Sequence, residues 1–218
     1  MGLKSYICRA GRPGFKDLID GDDLRLRELE HRFRNILTIV RSIVSQTLNS
    51  ARSIEDARAM VDHRLASLGG AIDSLLATHW QPTPLSDLVD RTFDHFPLFR
   101  GRIQCEGASV TIGASAAMTL MLVLYELATN AVKYGALSNQ AGTIELRWTV
   151  LGDGNDASLW MQWAERGGPP VVRPDRQGFG SRLICTAASR SLHGRCELDF
   201  PASGITWTMI APLSAIGN

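Results

Sequence analysis

The stretch Ala117 to Tyr134, AMTLMLVLYELATNAVKY, decides the fold. It is long and apolar enough to be a core helix, yet it carries Glu126, Asn130 and Lys133 at offsets of four and three, on neighbouring turns of one face. A core helix with one polar face lines a site, and Gly135 stands at its C-cap position. On its N-terminal side, Leu85, Leu88, Val89, Phe93 and Phe96 predict a short helix, followed by short strands over Arg102 to Glu106 and Ser109 to Ile112. On its C-terminal side, Thr143 to Val150 and Ser158 to Ala164 predict two strands separated by the turn-rich GDGND. After a Gly/Pro-rich loop, Phe179 to Leu192 predicts a helix that ends at Gly194, and Cys196 to Phe200 and Ile205 to Ile210 predict a closing hairpin around PASG. Hairpin-linked strands mixed with helices indicate an α+β fold, with helices layered on one face of an antiparallel or mixed sheet.

The segment HWQPTPLS, His79 to Ser86, ends the preceding helix with two prolines and marks a domain boundary. Before it, Leu29, Phe33, Ile36, Val40, Ile43 and Thr47 follow the seam spacing of a helix packed on another helix. Off that seam His31, Asn35, Thr38 and Ser42 form a polar stripe, so His31 is expected to face solvent. A second helix, about Ile54 to Thr78, carries Ile54, Val61, Leu65, Leu68, Ile72 and Leu75, with Gly69 and Gly70 inside it as a place of close packing or bending. The two helices predict an N-terminal antiparallel hairpin that pairs with a second copy as a four-helix bundle in a homodimer. The domains are therefore expected to be a tail over residues 1–22, the helical hairpin over 23–80 and a sandwich domain over 81–218.

Composition narrows the function classes. The chain has 218 residues and is 44% hydrophobic and 21% charged, as befits packed domains. A net charge of +1 supplies no basic field for nucleic acid or an anionic membrane. No run is expected to span a membrane, and MGLKSYICRAG lacks the apolar core of a signal peptide, so the expected location is cytoplasmic. Cys8, Cys105, Cys185 and Cys196 have no metal-ligand spacing and are expected to be small buried thiols in a reducing compartment.

Three stretches converge on one chemistry. ELATNAVKYG (Glu126 to Gly135) supplies a Glu and an Asn on a helix; WAERGGPPV (Trp163 to Val171) supplies the carboxylate of Glu165 before Gly167 and Gly168; GFGS (Gly178 to Ser181) supplies a glycine loop entering a helix. Glycines before a helix let backbone N–H groups approach phosphate oxygens, and an Asn carbonyl is a hard ligand suited to Mg²⁺. Together they describe a nucleotide pocket.

These residues resemble the sensor histidine kinases with a GHKL-type (Bergerat) ATP-binding domain, and in particular the HWE subgroup of bacterial two-component kinases. LEHRFRNIL (Leu29 to Leu37) resembles the phosphoacceptor box, ELATNAVKYGALS the N-box, WAERGGP the first glycine box and GFGSRLI the second. The resemblance implies a GHKL/Bergerat α/β sandwich after the hairpin, which would be the dimerisation and phosphoacceptor domain. It implies that His31 accepts the phosphoryl group of ATP, that Asn130 coordinates Mg²⁺, and that Lys133 and Tyr134 flank the nucleotide. Glu165 would receive the adenine amino group, while Gly167, Gly168, Gly178, Gly180 and Ser181 would shape the pocket and a short lid. Tyr125 stands where the subgroup has the His of its name, while Trp163 and Glu165 are kept.

Phosphorylating an imidazole needs an exposed neutral nitrogen in line with the γ-phosphate and metal ions to offset developing charge. Glu30 or Glu28 is placed to orient His31 or take its proton, and Glu126 to hold a metal-bound water or act as base. The expected function is an ATP-dependent protein histidine kinase that phosphorylates itself on His31 and passes the group to an Asp of a response-regulator receiver domain. The alternative is a histidine phosphotransfer or scaffold module with a kinase-like body that does not turn over ATP. Residues 1–22 are too few for a sensor domain, so the input is expected from a separate sensor protein, from another part of a longer chain, or from no ligand at all.

Overall fold

The computed structural model describes residues 30, 33, 34, 36, 37, 39–41, 43–45, 47, 48, 51, 53–77, 80–171, 184, 185 and 189–217. The chain divides into two compact units, residues 1–39 and 40–218. In the first, every described residue from Glu30 to Ile39 is helical, and Phe33 and Leu37 are exposed.

In the second unit, the described residues from Val40 to Leu48 are helical, with Ile43 and Thr47 fully buried. Helix α1 follows over Ile54–Ala77. Asp56 accepts no help from a proline or glycine here; instead its N–H donates to Ser53 Oγ at 3.1 Å, a side-chain cap for an end that begins with Glu55 and Asp56. The helix buries Ala57, Arg64 and Leu68 but exposes Ile54, Leu65 and Leu76, so only part of the expected apolar seam is covered within the chain. It runs unbroken through Gly69 and Gly70. A Cβ at Gly69 would meet nothing within 4 Å, and one at Gly70 would make ordinary contact with the His95 ring at 3.5 Å. The glycine pair is therefore not a site of enforced close approach within the described residues.

Strand β1 (Thr83–Pro84) leads into α2 (Leu85–Phe93), whose Leu85, Leu88, Val89, Thr92 and Phe93 are buried at the spacing of one helix face. Strand β2 (Ile103–Gly107) and the two-residue β3 (Thr111–Ile112), which pairs antiparallel with β1, precede the central helix α3 (Ala114–Lys133). Strands β4 (Thr143–Leu151), β5 (Ser158–Arg166), β6 (Arg195–Asp199) and β7 (Thr206–Pro212) complete a five-stranded sheet in the order β2-β4-β5-β7-β6. Helix α4, Leu213–Ile216, closes the chain by presenting the Ile216 carbonyl to the Gly113 N–H at 2.7 Å, just before α3 starts.

The sheet is mixed, one of the two arrangements the strand pattern left open. Strand β2 pairs parallel with β4 after a crossover through β3 and α3, and the remaining pairs are antiparallel. Alternation sets its two faces: Ile144, Leu146 and Trp148 of β4 are buried, while Thr143, Arg147 and Thr149 are exposed and Glu145 is half-buried. Leu159, Met161 and Trp163 of β5 and Trp207, Met209 and Ala211 of β7 extend the apolar face. Phe93 of α2 lies on it, its ring 6.1 Å from that of Trp163.

Helix α3 is buried on nearly all sides, including Leu120, Leu124, Leu127 and Ala131, because α1 and α2 both lie against it. By length and composition α3 could cross a membrane, with a mean hydropathy of 1.3 over an 18-residue window; 78% of that window is buried inside the protein, so its apolar surface serves the core. The cysteines differ from expectation. Cys105 is exposed on β2, a strand with most of its residues in solvent, and Cys185 and Cys196 are half-buried.

Candidate functional site

The C-terminal end of α3 and the end of β5 meet, and the loop between α3 and β4 is held there by side chains from three directions. Helix α3 stops at Lys133 because the chain turns: the Tyr134 and Gly135 N–H groups both donate to the Asn130 carbonyl, at 2.8 and 3.1 Å. The next residues, Ala136–Ser138, form one tight 3₁₀ turn. Its first N–H, on Ala136, donates to Glu165 Oε2 at 2.7 Å, which is a charge-assisted bond across 29 residues of sequence.

Glu165 is 4% exposed. Trp163, two residues earlier on the same face of β5, donates its indole N–H to Glu165 Oε1 at 3.2 Å. Burial pushes the Glu165 carboxyl above the ordinary carboxylate range, while the bonds from Ala136 and Trp163 pull the other way. The site thus holds a desolvated carboxylate on two donors, with lone pairs left to accept another N–H.

This clasp explains the glycines around it. Gly135 has an ordinary negative φ, so it is not needed for a left-handed cap; a Cβ there would sit on the Glu165 carboxylate oxygen. A Cβ on Gly168 would lie 2.8 Å from Ala136 Cα and 2.9 Å from its nitrogen. Gly167 adopts φ +68°, the left-handed region, and its carbonyl accepts the Asn139 Nδ2–H at 2.8 Å. Asn139 Oδ1 in turn accepts the Ala141 and Gly142 N–H groups at 2.9 and 2.8 Å, an Asx-type turn. From β2's side, Arg102 donates to the Gly142 and Ala136 carbonyls at 2.7 and 3.0 Å. Arg102 and Asn139 carry no nucleotide signature in the sequence. Their task is visible only through bonds to residues far along the chain, although Asn139 three residues before Gly142 was a turn signal that could have been read.

The polar face of α3 is only partly as expected. Asn130 is half-buried, and Lys133 and Tyr134 are exposed. Glu126 is 6% exposed, and its Oε1 is bonded to Arg64 Nε of α1 at 3.1 Å. Burial holds the Arg64 guanidinium below its usual range and Glu126 opposes that; Arg64 also donates to Thr47 Oγ1 at 2.7 Å. Between Glu126 and Asn130, Thr129 Oγ1 is buried with no hydrogen-bond partner among the described residues. Tyr125 packs edge-on to the His95 ring at 6.2 Å and against Phe96 at 5.1 Å. On the first unit, Glu30 is exposed and ion-paired with Arg34 at 3.2 Å. His31, Glu28, Gly178, Gly180 and Ser181 lie outside the described residues.

The donor set fits a nucleotide with its cation. The half-buried Asn130 amide, the buried Thr129 hydroxyl with no hydrogen-bond partner among the described residues, and the desolvated Glu165 carboxylate with acceptor capacity beyond its two donors are groups of the kind a nucleotide and its cation use. Among the described residues no three His, Cys, Asp or Glu side chains are gathered as a metal site. A divalent ion here would draw few protein ligands and complete its shell with phosphate oxygens and water, which is the habit of Mg²⁺.

Residues 28–109 match the family of HWE histidine kinases. The chain is 39% identical over 190 residues to the blue-light-activated histidine kinase of Brucella anthropi, an alignment covering 87% of this chain and 39% of that protein. It is 37% identical over 189 residues to the protein of the same name from Brucella ovis, covering 86% and 39%. The chain therefore spans about two fifths of the length of these curated relatives. Among solved structures, the blue-light activated histidine kinase of Erythrobacter litoralis superposes with a TM-score of 0.58 at 19% identity, covering 93% of this chain and 61% of that one. Its isolated histidine kinase domain gives 0.55 at 15% identity, covering 82% and 94%. The fold is that of a histidine kinase catalytic domain.

Proposed function

With a match to the HWE histidine kinases over residues 28–109 and a histidine kinase fold as the premise, we propose that this chain is the cytoplasmic catalytic core of a two-component kinase. It phosphorylates itself on His31 at the expense of ATP and passes the phosphoryl group to an Asp of a response-regulator receiver domain. The observation that carries this is the Glu165 clasp: a buried carboxylate with spare acceptor capacity, fixed by Trp163 and Ala136 beside the polar end of α3. Such a group recognises an amino donor, and the exocyclic amine of adenine is one.

In this reading Glu165 accepts the adenine amino group, and Asn130 holds Mg²⁺ through its side-chain carbonyl. Lys133 and Tyr134 flank the nucleotide from the exposed end of α3, and Gly167, Gly168, Gly178, Gly180 and Ser181 let backbone approach it. When bound, Mg²⁺–ATP supplies the γ-phosphoryl group and the divalent charge that offsets its oxygens. Glu126, kept in one rotamer by Arg64 on Oε1, orients a water with its other oxygen. Glu30 helps to orient the His31 ring. The exposed apolar residues Phe33, Leu37, Leu65 and Leu76 support pairing with a second copy through the helical segments. Tyr125 fills the position of the subgroup's His, packing edge-on to His95 and tilted against Phe96, and the input is received from a separate sensor or a further part of a longer chain.

The test is nucleotide binding measured apart from turnover. The parent chain is expected to gain thermal stability with ATP and Mg²⁺ by mass action. Asn130→Ala should abolish the Mg²⁺-dependent part of that gain while leaving the unfolding temperature without nucleotide within a few degrees of the parent. A parent chain that shows no shift would favour the relay module over the kinase.

A further inference from the structure

Beyond the nucleotide site, the second unit brings two cysteines together. Cys185 is helical and Cys196 lies on β6, the edge strand of the sheet; their sulfurs are 2.8 Å apart, with the Cys196 S–H donating to Cys185. A disulfide sulfur pair is about 2.05 Å apart, so an approach of roughly 0.8 Å makes the bond. The Cys196 sulfur is oriented from its other side by the indole N–H of the fully buried Trp207, at 2.9 Å. Both residues are half-buried, within reach of a small oxidant, whereas an inert core thiol is enclosed.

We propose that Cys185 and Cys196 are a modification site, a dithiol that hydrogen peroxide converts to an intramolecular disulfide. The donated S–H bond holds the Cys185 thiol below its ordinary range, while the same bond and burial push Cys196 up, so the two sulfurs have different roles. The Cys185 thiolate attacks one peroxide oxygen, the O–O bond breaks, and hydroxide leaves and is protonated to water. Cys185 is then a sulfenic acid, oxidised by two electrons. The Cys196 sulfur attacks the Cys185 sulfur, the S–O bond breaks, and the departing hydroxide takes the Cys196 proton as a second water. Two thiols and one peroxide give one disulfide and two waters. Thiol reductants of a reducing compartment reverse it, which is where transient, redox-sensing pairs occur. The bridge ties the helical residues Ile184 and Cys185 to the sheet edge at β6.

The test uses the full chain with Cys8 and Cys105 replaced by Ser, treated with a small excess of hydrogen peroxide and trapped with iodoacetamide. The expected result is an intact mass lower by two hydrogens, no alkylation at either remaining cysteine, and a linked pair of tryptic peptides that dithiothreitol separates. Cys185→Ser and Cys196→Ser, each checked for folding by circular dichroism, should lose the linked peptide. In the chain with all four cysteines the link should still join Cys185 to Cys196. The proposal is overturned if both cysteines remain alkylatable after peroxide, if they oxidise separately to sulfinic acids, or if the native chain links either one to Cys8 or Cys105 instead.

Discussion

At the scale of single residues, Glu165 is the most informative position. Its carboxyl titrates higher in the folded chain because burial penalises the charge. Above the ordinary carboxylate value and below the raised one, the folded state binds more protons than the unfolded state, so the residue's contribution to stability falls as pH rises through that window. The stability of the parent minus that of Glu165→Gln should therefore fall as pH rises above the ordinary carboxylate value, followed by denaturant unfolding at stepped pH. Two curves that stay parallel would mean that Glu165 is not desolvated. Gly168 supplies a second test. Its added Cβ would press on backbone of Ala136, which cannot yield as a flexible side chain does, and Gly168→Ala should cost about 1–3 kcal/mol. The same unfolding titration checks it, and a neutral variant would contradict the close approach of the first glycine segment to the turn after α3.

Among elements, α3 was the most legible from sequence and also the one whose polar face changed most. Its apolar length, its end near Gly135 and the offsets of Glu126, Asn130 and Lys133 follow from helical periodicity alone. That Glu126 would be buried against Arg64, 62 residues earlier, does not, because periodicity shows which residues share a face and not what covers that face. The pair ties α1 to α3 in a nearly dry setting, and removing Arg64 leaves the Glu126 charge buried without its cation. Arg64→Met alone should cost about 3–5 kcal/mol, and adding Glu126→Gln should recover a large part of it. Purely additive losses in the double-mutant cycle would show that the ion pair does not couple the helices. Gly135 shows the same limit: as a cap it was legible, but the reason for a glycine there is the carboxylate of Glu165 arriving from β5.

For the whole molecule, an α+β fold and the order of the described strands around α3 were readable from alternation, turn residues and prolines. The parallel pairing of β2 with β4 was not, since period-two alternation identifies a strand without naming its neighbour. Within the candidate site, the stretches with Asn130, Trp163 and Glu165 stood out as motifs, whereas Arg102 and Asn139, which hold the loop in place, act through contacts 28 to 40 residues away. The central claim of the proposal is that ATP is the phosphoryl donor for His31. Incorporation of label from γ-labelled ATP with Mg²⁺, followed in the parent chain and in His31→Ala, tests it most directly. The parent should take up label that is lost in acid and kept in base, as expected of phosphohistidine, and His31→Ala should take up none while still gaining thermal stability from ATP and Mg²⁺; full labelling of His31→Ala, or none of the parent, would contradict the account.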